Sequence, residues 1–146
     1  MTGWLLDTNV LSELRRPRPE PKVVAFVSTQ PLASLYVSSV SLAEIRFGIE
    51  RLDDAAKRAA LRDWLDAGIR PMFESRVLPV TEYVMLRWRM LVEEGRRVRH
   101  TFPQPDLIIA VTALQLELTI VTRDTDDYQK TGVALANPWA GDTATG

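Results

Sequence analysis

The sequence predicts a single α/β domain, with a central, mostly parallel sheet of four to five strands covered by helices on both faces. Two observations predict it. Short apolar runs alternate with amphipathic stretches along the whole chain, the pattern of right-handed β–α–β crossovers. The first run, Trp4-Leu5-Leu6, stops abruptly at Asp7-Thr8-Asn9, which reads as a buried strand turning into a helix at its carboxyl end. At 146 residues the chain is most simply one domain, and it buries enough surface to fold without a staple. Residues 1–140 are assigned to that domain, and 141–146 to a frayed tail.

The bulk numbers exclude several classes of function. Hydrophobic content of 46% and charged content of 25% are those of an ordinary globular protein. The absence of cysteine rules out disulfides, thiol catalysis and thiolate zinc sites, and it fits a reducing compartment. No secretory pattern opens the chain, and Leu107 to Leu118, its most apolar stretch, is too short to span a bilayer. The expectation is a soluble cytoplasmic protein without a membrane partner. Eighteen basic and nineteen acidic residues give a net charge of −1. That balance is silent about nucleic acid, because opposite charges can occupy different faces.

In chain order, Val10 to Leu14 gives a helical turn or two, stopped by the proline-rich basic loop Arg15-Arg16-Pro17-Arg18-Pro19. Glu20 to Gln30 reads as a short amphipathic helix, and Leu35 to Ser38 as a second strand. Ser41-Leu42-Ala43-Glu44 has the spacing of a capping box opening a helix to about Leu52, and Asp53 caps the next. That next helix places Leu61, Trp64, Leu65 and Ile69 on one face. Val77 to Val80 is a third strand, kept off the centre of the sheet by Pro79. A helix from Thr81 or Glu82 to about Glu94 carries Val84, Trp88, Leu91 and Val92 on one side, and Gly95 is its expected terminator. After a polar linker, Pro105 and Asp106 open a helix that is apolar nearly all round. Thr119 to Thr122 and Val133 to Ala136 complete the strands.

Acids recur where such a sheet places chemistry. In the strand order 3-2-1-4-5, strands one and four are neighbours, and the crevice at their carboxyl ends is the switch point. Asp7 follows strand one and Asp124 follows strand four. Glu44 and Asp106 begin helices on the same edge. Two unit charges ~4 Å apart repel by about 4 kcal/mol at an effective dielectric near 20, so convergent acids are either protonated or share a cation. An all-oxygen site suits Mg²⁺ or Mn²⁺, and Mg²⁺ on carboxylates is a phosphoryl-transfer arrangement. Each acid also has an ordinary reading: Glu44 as the capping-box glutamate, Asp106 as a first-turn acid, Asp124 as part of a polar turn, Asp7 as a helix cap. Asp7 fits the ordinary reading least, because it interrupts an apolar run.

Leu5-Leu6-Asp7-Thr8-Asn9-Val10, Ser41-Leu42-Ala43-Glu44, Asp106-Leu107-Ile108-Ile109-Ala110 and Thr122-Arg123-Asp124 resemble the motifs of PIN-domain proteins. The likeness is to the VapC toxins of type II toxin–antitoxin systems and their FitB-like subgroup, to which Asn137-Pro138-Trp139 is also similar. It covers essentially the whole chain; no single motif is specific, but four in order are. The resemblance implies a compact α/β/α fold, Mg²⁺- or Mn²⁺-dependent endoribonuclease activity, a homodimer and a partner antitoxin. By position it implies Asp7, Glu44, Asp106 and Asp124 as the catalytic acids, with Asp7, Asp106 and Asp124 on the metal. It makes Thr8, Asn9 and Thr122 the residues that orient them, and Asp127 an auxiliary acid. One departure is the proline-rich stretch Thr101-Phe102-Pro103-Gln104-Pro105 ahead of Asp106, where the family has smaller residues.

RNA approaching an acidic crevice needs a basic rim. Arg15, Arg16 and Arg18 form one candidate cluster, and Arg96, Arg97 and Arg99 the other; the ordinary reading is solvated surface or contact with an acidic stretch of the antitoxin. His100, the sole histidine, belongs to no triad and reads as a loop residue. Two rivals to the nuclease are weighed. A haloacid-dehalogenase-type phosphotransferase would want an Asp where Asn9 stands. A PIN-like module that binds RNA or protein without cutting would be favoured by an incomplete quartet, but all four acids are present.

Overall fold

A computed structural model describes residues 3–101 and 104–141. Phe102 and Pro103 of the linker, and the expected tail from residue 142 onward, lie outside the described residues. The strands are β1 (Trp4–Leu6), β2 (Leu35–Ser38), β3 (Val77–Leu78), β4 (Thr119–Val121) and β5 (Leu135–Ala136). They form one parallel sheet in the order β3-β2-β1-β4-β5, the order expected from the alternating pattern.

The helices are α1 (Thr8–Leu14), α2 (Pro21–Thr29), α3 (Ser39–Glu50), α4 (Ala55–Asp63), α5 (Arg70–Phe73), α6 (Glu82–Arg97), α7 (Gln104–Leu116) and α8 (Thr125–Tyr128). A π-helical turn, Trp64–Ile69, joins α4 to α5. No helix among the described residues is long and apolar enough to cross a membrane.

Alternation along the short strands divides the core between the two faces. Leu6 and Val121 join Val10, Leu11, Ile45, Leu65 and Phe73 on one side. Leu5 and Ile120 join Ile109, Ala113, Tyr128 and Leu135 on the other. β3 is an edge strand, ended by Pro79 after two residues.

Three local expectations need correction. The cap of α3 is Ser38, whose hydroxyl accepts from the Val40 amide at 3.0 Å. Ser41 therefore lies a turn inside the helix, and the capping box does not form. Asp54, not Asp53, caps α4, accepting from the Ala56 and Lys57 amides at 3.0 and 3.1 Å. Gly95 is buried inside α6. That helix runs on to Arg97, and the left-handed residue beyond its end is Arg99, with φ 56°.

The ladder between β1 and β4 pairs Leu6 with Val121. It carries on one residue further, with the Asp7 amide donating to the Val121 carbonyl at 3.0 Å. The Thr122 amide donates to Ala136 of β5 at 3.0 Å. These bonds hold Asp7 and Thr122 side by side at the carboxyl edge, where the sheet changes direction.

Candidate active site

Asp7 is the floor of the site. It is 3% exposed, and its two oxygens accept three hydrogen bonds. Oδ1 takes the Thr8 amide at 2.8 Å; Oδ2 takes the Thr122 hydroxyl at 2.8 Å and the Tyr128 hydroxyl at 3.0 Å. Burial pushes its pKa up, and the three donors, Thr122 foremost, oppose that rise.

From Asp7 the network reaches the other acids. The Thr8 hydroxyl donates to Glu44 Oε1 at 2.9 Å, so α1 and α3 are joined through Glu44. The carboxylate released from the capping box thus has a partner at the site. Asn9 Nδ2 donates both to the Thr122 hydroxyl at 3.0 Å and to Asp124 Oδ2 at 3.1 Å, while its Oδ1 accepts from the Arg123 amide at 3.3 Å. Thr122 also accepts from the Asp124 amide at 3.0 Å. Thr8, Asn9 and Thr122 therefore all touch the acids.

Asp106, in the first turn of α7, is reached through Tyr128, whose oxygen lies 3.3 Å from Asp106 Oδ1. A phenol carries one O–H. With that hydrogen given to Asp7, the Asp106 contact is complete only when Asp106 itself carries a proton. Burial, followed by the charges of Asp7 and Asp127, pushes Asp106 up to about 7. Asp127 is thus close enough to bear on Asp106. Burial and the neighbouring Asp7 push the Tyr128 phenol upward as well, so it stays a neutral donor. Tyr128 was not singled out in the sequence; the available signal was its place four residues after Asp124, where a phenol turned into the core needs a polar partner.

All four acids belong to one hydrogen-bonded assembly, running from Glu44 through Thr8 to Asp7, through Thr122 and Asn9 to Asp124, and through Tyr128 to Asp106. Among the described residues, no group of three or more His, Cys, Asp or Glu side chains stands placed to hold a metal ion. The donor chemistry still fits a hard divalent ion. The donors are all oxygen, burial and then the charges of Asp7 and Asp127 raise Asp106, and Mg²⁺ commonly keeps several waters while taking only one or two carboxylates.

The basic residues divide. Arg15 lines a cavity together with Thr8 and Glu44. Arg16 and Arg18 line a second depression with Arg123 and Trp139; Arg16 pairs with Glu13 at 3.3 Å, and the Arg123 guanidinium lies 5.4 Å over the Trp139 ring. Both depressions adjoin the acids in sequence, and Arg123 is a rim cation not singled out in the sequence. Arg96 pairs with Glu93 at 3.7 Å, and Arg97 borders a groove on α6 with Arg89, Met90, Glu93 and Glu94. Arg96 and Arg97 thus border other residues of α6 and not the acids of the site.

The chain is similar in sequence and fold to known proteins. The sequence profile of the PIN domain matches residues 4–133. Toxin FitB of Neisseria gonorrhoeae is 37% identical over 135 residues, covering 92% of this chain and 97% of that protein. VapC ribonuclease Y4jK of Sinorhizobium fredii is 30% identical over 135 residues, covering 92% and 96%. Among solved structures, FitAB bound to an IR36 DNA fragment superposes with a TM-score of 0.86 at 35% identity, covering 93% of this chain and 95% of that one.

Proposed function

Because this chain belongs to the PIN-domain family, we propose that it is a metal-dependent endoribonuclease that hydrolyses RNA phosphodiester bonds and acts as the toxin of a toxin–antitoxin pair. The observation that carries this reading is the hydrogen-bonded assembly of Asp7, Glu44, Asp106 and Asp124 at the carboxyl ends of β1 and β4. Relatives named as a toxin and as a ribonuclease support the activity, and the two-component name FitAB supports an antitoxin partner.

Asp7, Asp106 and Asp124 would hold Mg²⁺ or Mn²⁺, which supplies Lewis-acid activation of water and a counter-charge for the phosphate. The chain's own residues do the rest. Tyr128 and Thr122 fix Oδ2 of Asp7 and the Thr8 amide fixes Oδ1, so the carboxylate needs no reorganisation when substrate arrives. Asn9 sets the direction of Asp124. Thr8 holds the exposed Glu44, which is free to orient an attacking water and accept its proton. Arg15, Arg16, Arg18 and Arg123 neutralise backbone phosphates along the rim. Tyr83, Leu86 and Met90 on α6 and Leu114 on α7 are exposed apolar side chains that support a homodimer, and the cytoplasm is the compartment where RNA and an antitoxin are both at hand.

The test is cleavage of RNA by antitoxin-free protein in Mg²⁺ or Mn²⁺. The wild type should cut, chelation should stop it, and Asp7→Asn should lower the rate by about 10²-fold or more. A wild type that cuts no RNA, or an Asp7→Asn protein as active as wild type, overturns the nuclease reading.

A further inference from the structure

Gly48 lies in the interior of α3 on its exposed side, where glycine is a poor helix former and alanine would be better. Nothing in the fold requires the glycine: a Cβ built there meets no atom within 4 Å. The missing side chain instead borders a cavity of about 250 Å³, whose lining also includes Thr8, Glu44, Arg15, Lys57 and Trp64. Ile49 and Leu61 supply its apolar walls. The cavity is thus continuous with the acid assembly, because Thr8 and Glu44 belong to both.

Its lining has two characters. The indole of Trp64 and the aliphatic walls suit a flat apolar group. Arg15, whose guanidinium lies over the Trp64 ring 6.0 Å from its centroid, and Lys57 suit an anion beside it. Trp64 begins the π-helical turn, a distortion that often accompanies binding sites. A flat aromatic group joined to an anion, next to a site for phosphodiester hydrolysis, describes one nucleotide of a single strand.

We propose that this cavity receives the nucleotide flanking the cut bond, its base against Trp64 and its phosphate between Arg15 and Lys57, and that Gly48 keeps the cavity open so that the enzyme selects that base. The proposal rests on the ribonuclease reading and gives it a specificity determinant.

A Cβ at position 48 meets open space, so Gly48→Leu should direct its side chain toward the cavity and melt no lower than wild type. Cleavage of a random-sequence RNA pool, with the cut ends sequenced, should show a base preference at one flanking position in wild type. Gly48→Leu should lose that preference and raise KM about tenfold, the scale of one lost base stack. Lys57→Ala should raise KM for all sequences alike and lower the salt slope by about one. If wild type cuts RNA and Gly48→Leu cuts with the same base preference and KM, the proposal is overturned while the nuclease reading stands, and the cavity belongs to a protein side chain instead. Should wild type cut nothing, binding of a fluorescein-labelled RNA hexamer decides. Weaker binding by Asp7→Asn/Gly48→Leu than by Asp7→Asn supports the cavity, and equal binding overturns it.

Discussion

Tyr128 offers one hydrogen to two carboxyls, and the consequences are measurable. Phenylalanine at this position keeps the packing against Leu5 and Ile109 but removes the donor to Asp7. Tyr128→Phe should fold normally and bind Mn²⁺ about 10–100-fold more weakly, the usual cost of losing a partner that orients a ligand; unchanged affinity in a calorimetric titration would assign the phenol to packing alone. Asp106 makes a pH prediction. Its carboxyl is held at about 7, above its unfolded value, so its contribution to stability is fully present below about pH 4 and is lost as pH rises through about 7. Asp7 is shifted in the same direction. Metal-free protein should therefore lose stability between those pH values, and Asp106→Asn should flatten the profile. Denaturant melts in chelator at pH 5 and pH 8 check this, and an NMR titration placing Asp106 near 4 would contradict it.

Helix ends show where sequence patterns mislead. Ser41 and Glu44 have capping-box spacing, but the helix begins two residues earlier, at Ser39, because Ser38 at the end of β2 is already an N-cap. The pattern was real and its assignment wrong, since spacing alone cannot fix which of several serines takes the extended backbone of a cap. The two serines should respond oppositely to alanine. Ser38→Ala loses a cap and should cost about 1 kcal/mol. The Ser41 hydroxyl is buried without a hydrogen-bond partner, so Ser41→Ala should leave stability unchanged or raise it by about 1 kcal/mol. Thermal melts of both variants test the assignment. Strand order, by contrast, was legible, because alternation of elements and the edge-seeking Pro79 leave few topologies open. The bridging roles of Thr8, Asn9 and Thr122 came only from family likeness, and Tyr128 was missed because its place four residues after Asp124 is a faint signal and its partners lie over twenty residues away. The cavity beside Glu44 was equally hidden. It is made by the approach of α1, α3 and α4, and its clearest sign in the sequence, Gly48, reads there as a weak helix position.

At the scale of the whole molecule, a parallel sheet gathers segments distant in sequence at one edge. Asp7 and Thr122 are 115 positions apart, yet their side chains meet at 2.8 Å. The polar edge is held between two apolar layers, one on each face of the sheet. On the proposed reading, a bound cation offsets the charge gathered among the four acids. The direct measurement is an anomalous difference map from crystals of the protein grown with Mn²⁺. The account predicts one or more peaks at ligand distance, about 2.1 Å for an ion of this class, from carboxyl oxygens of Asp7, Asp106 and Asp124, and no such peak in Asp7→Asn. Mn²⁺ bound elsewhere, or absent from this edge at millimolar concentration, would contradict it.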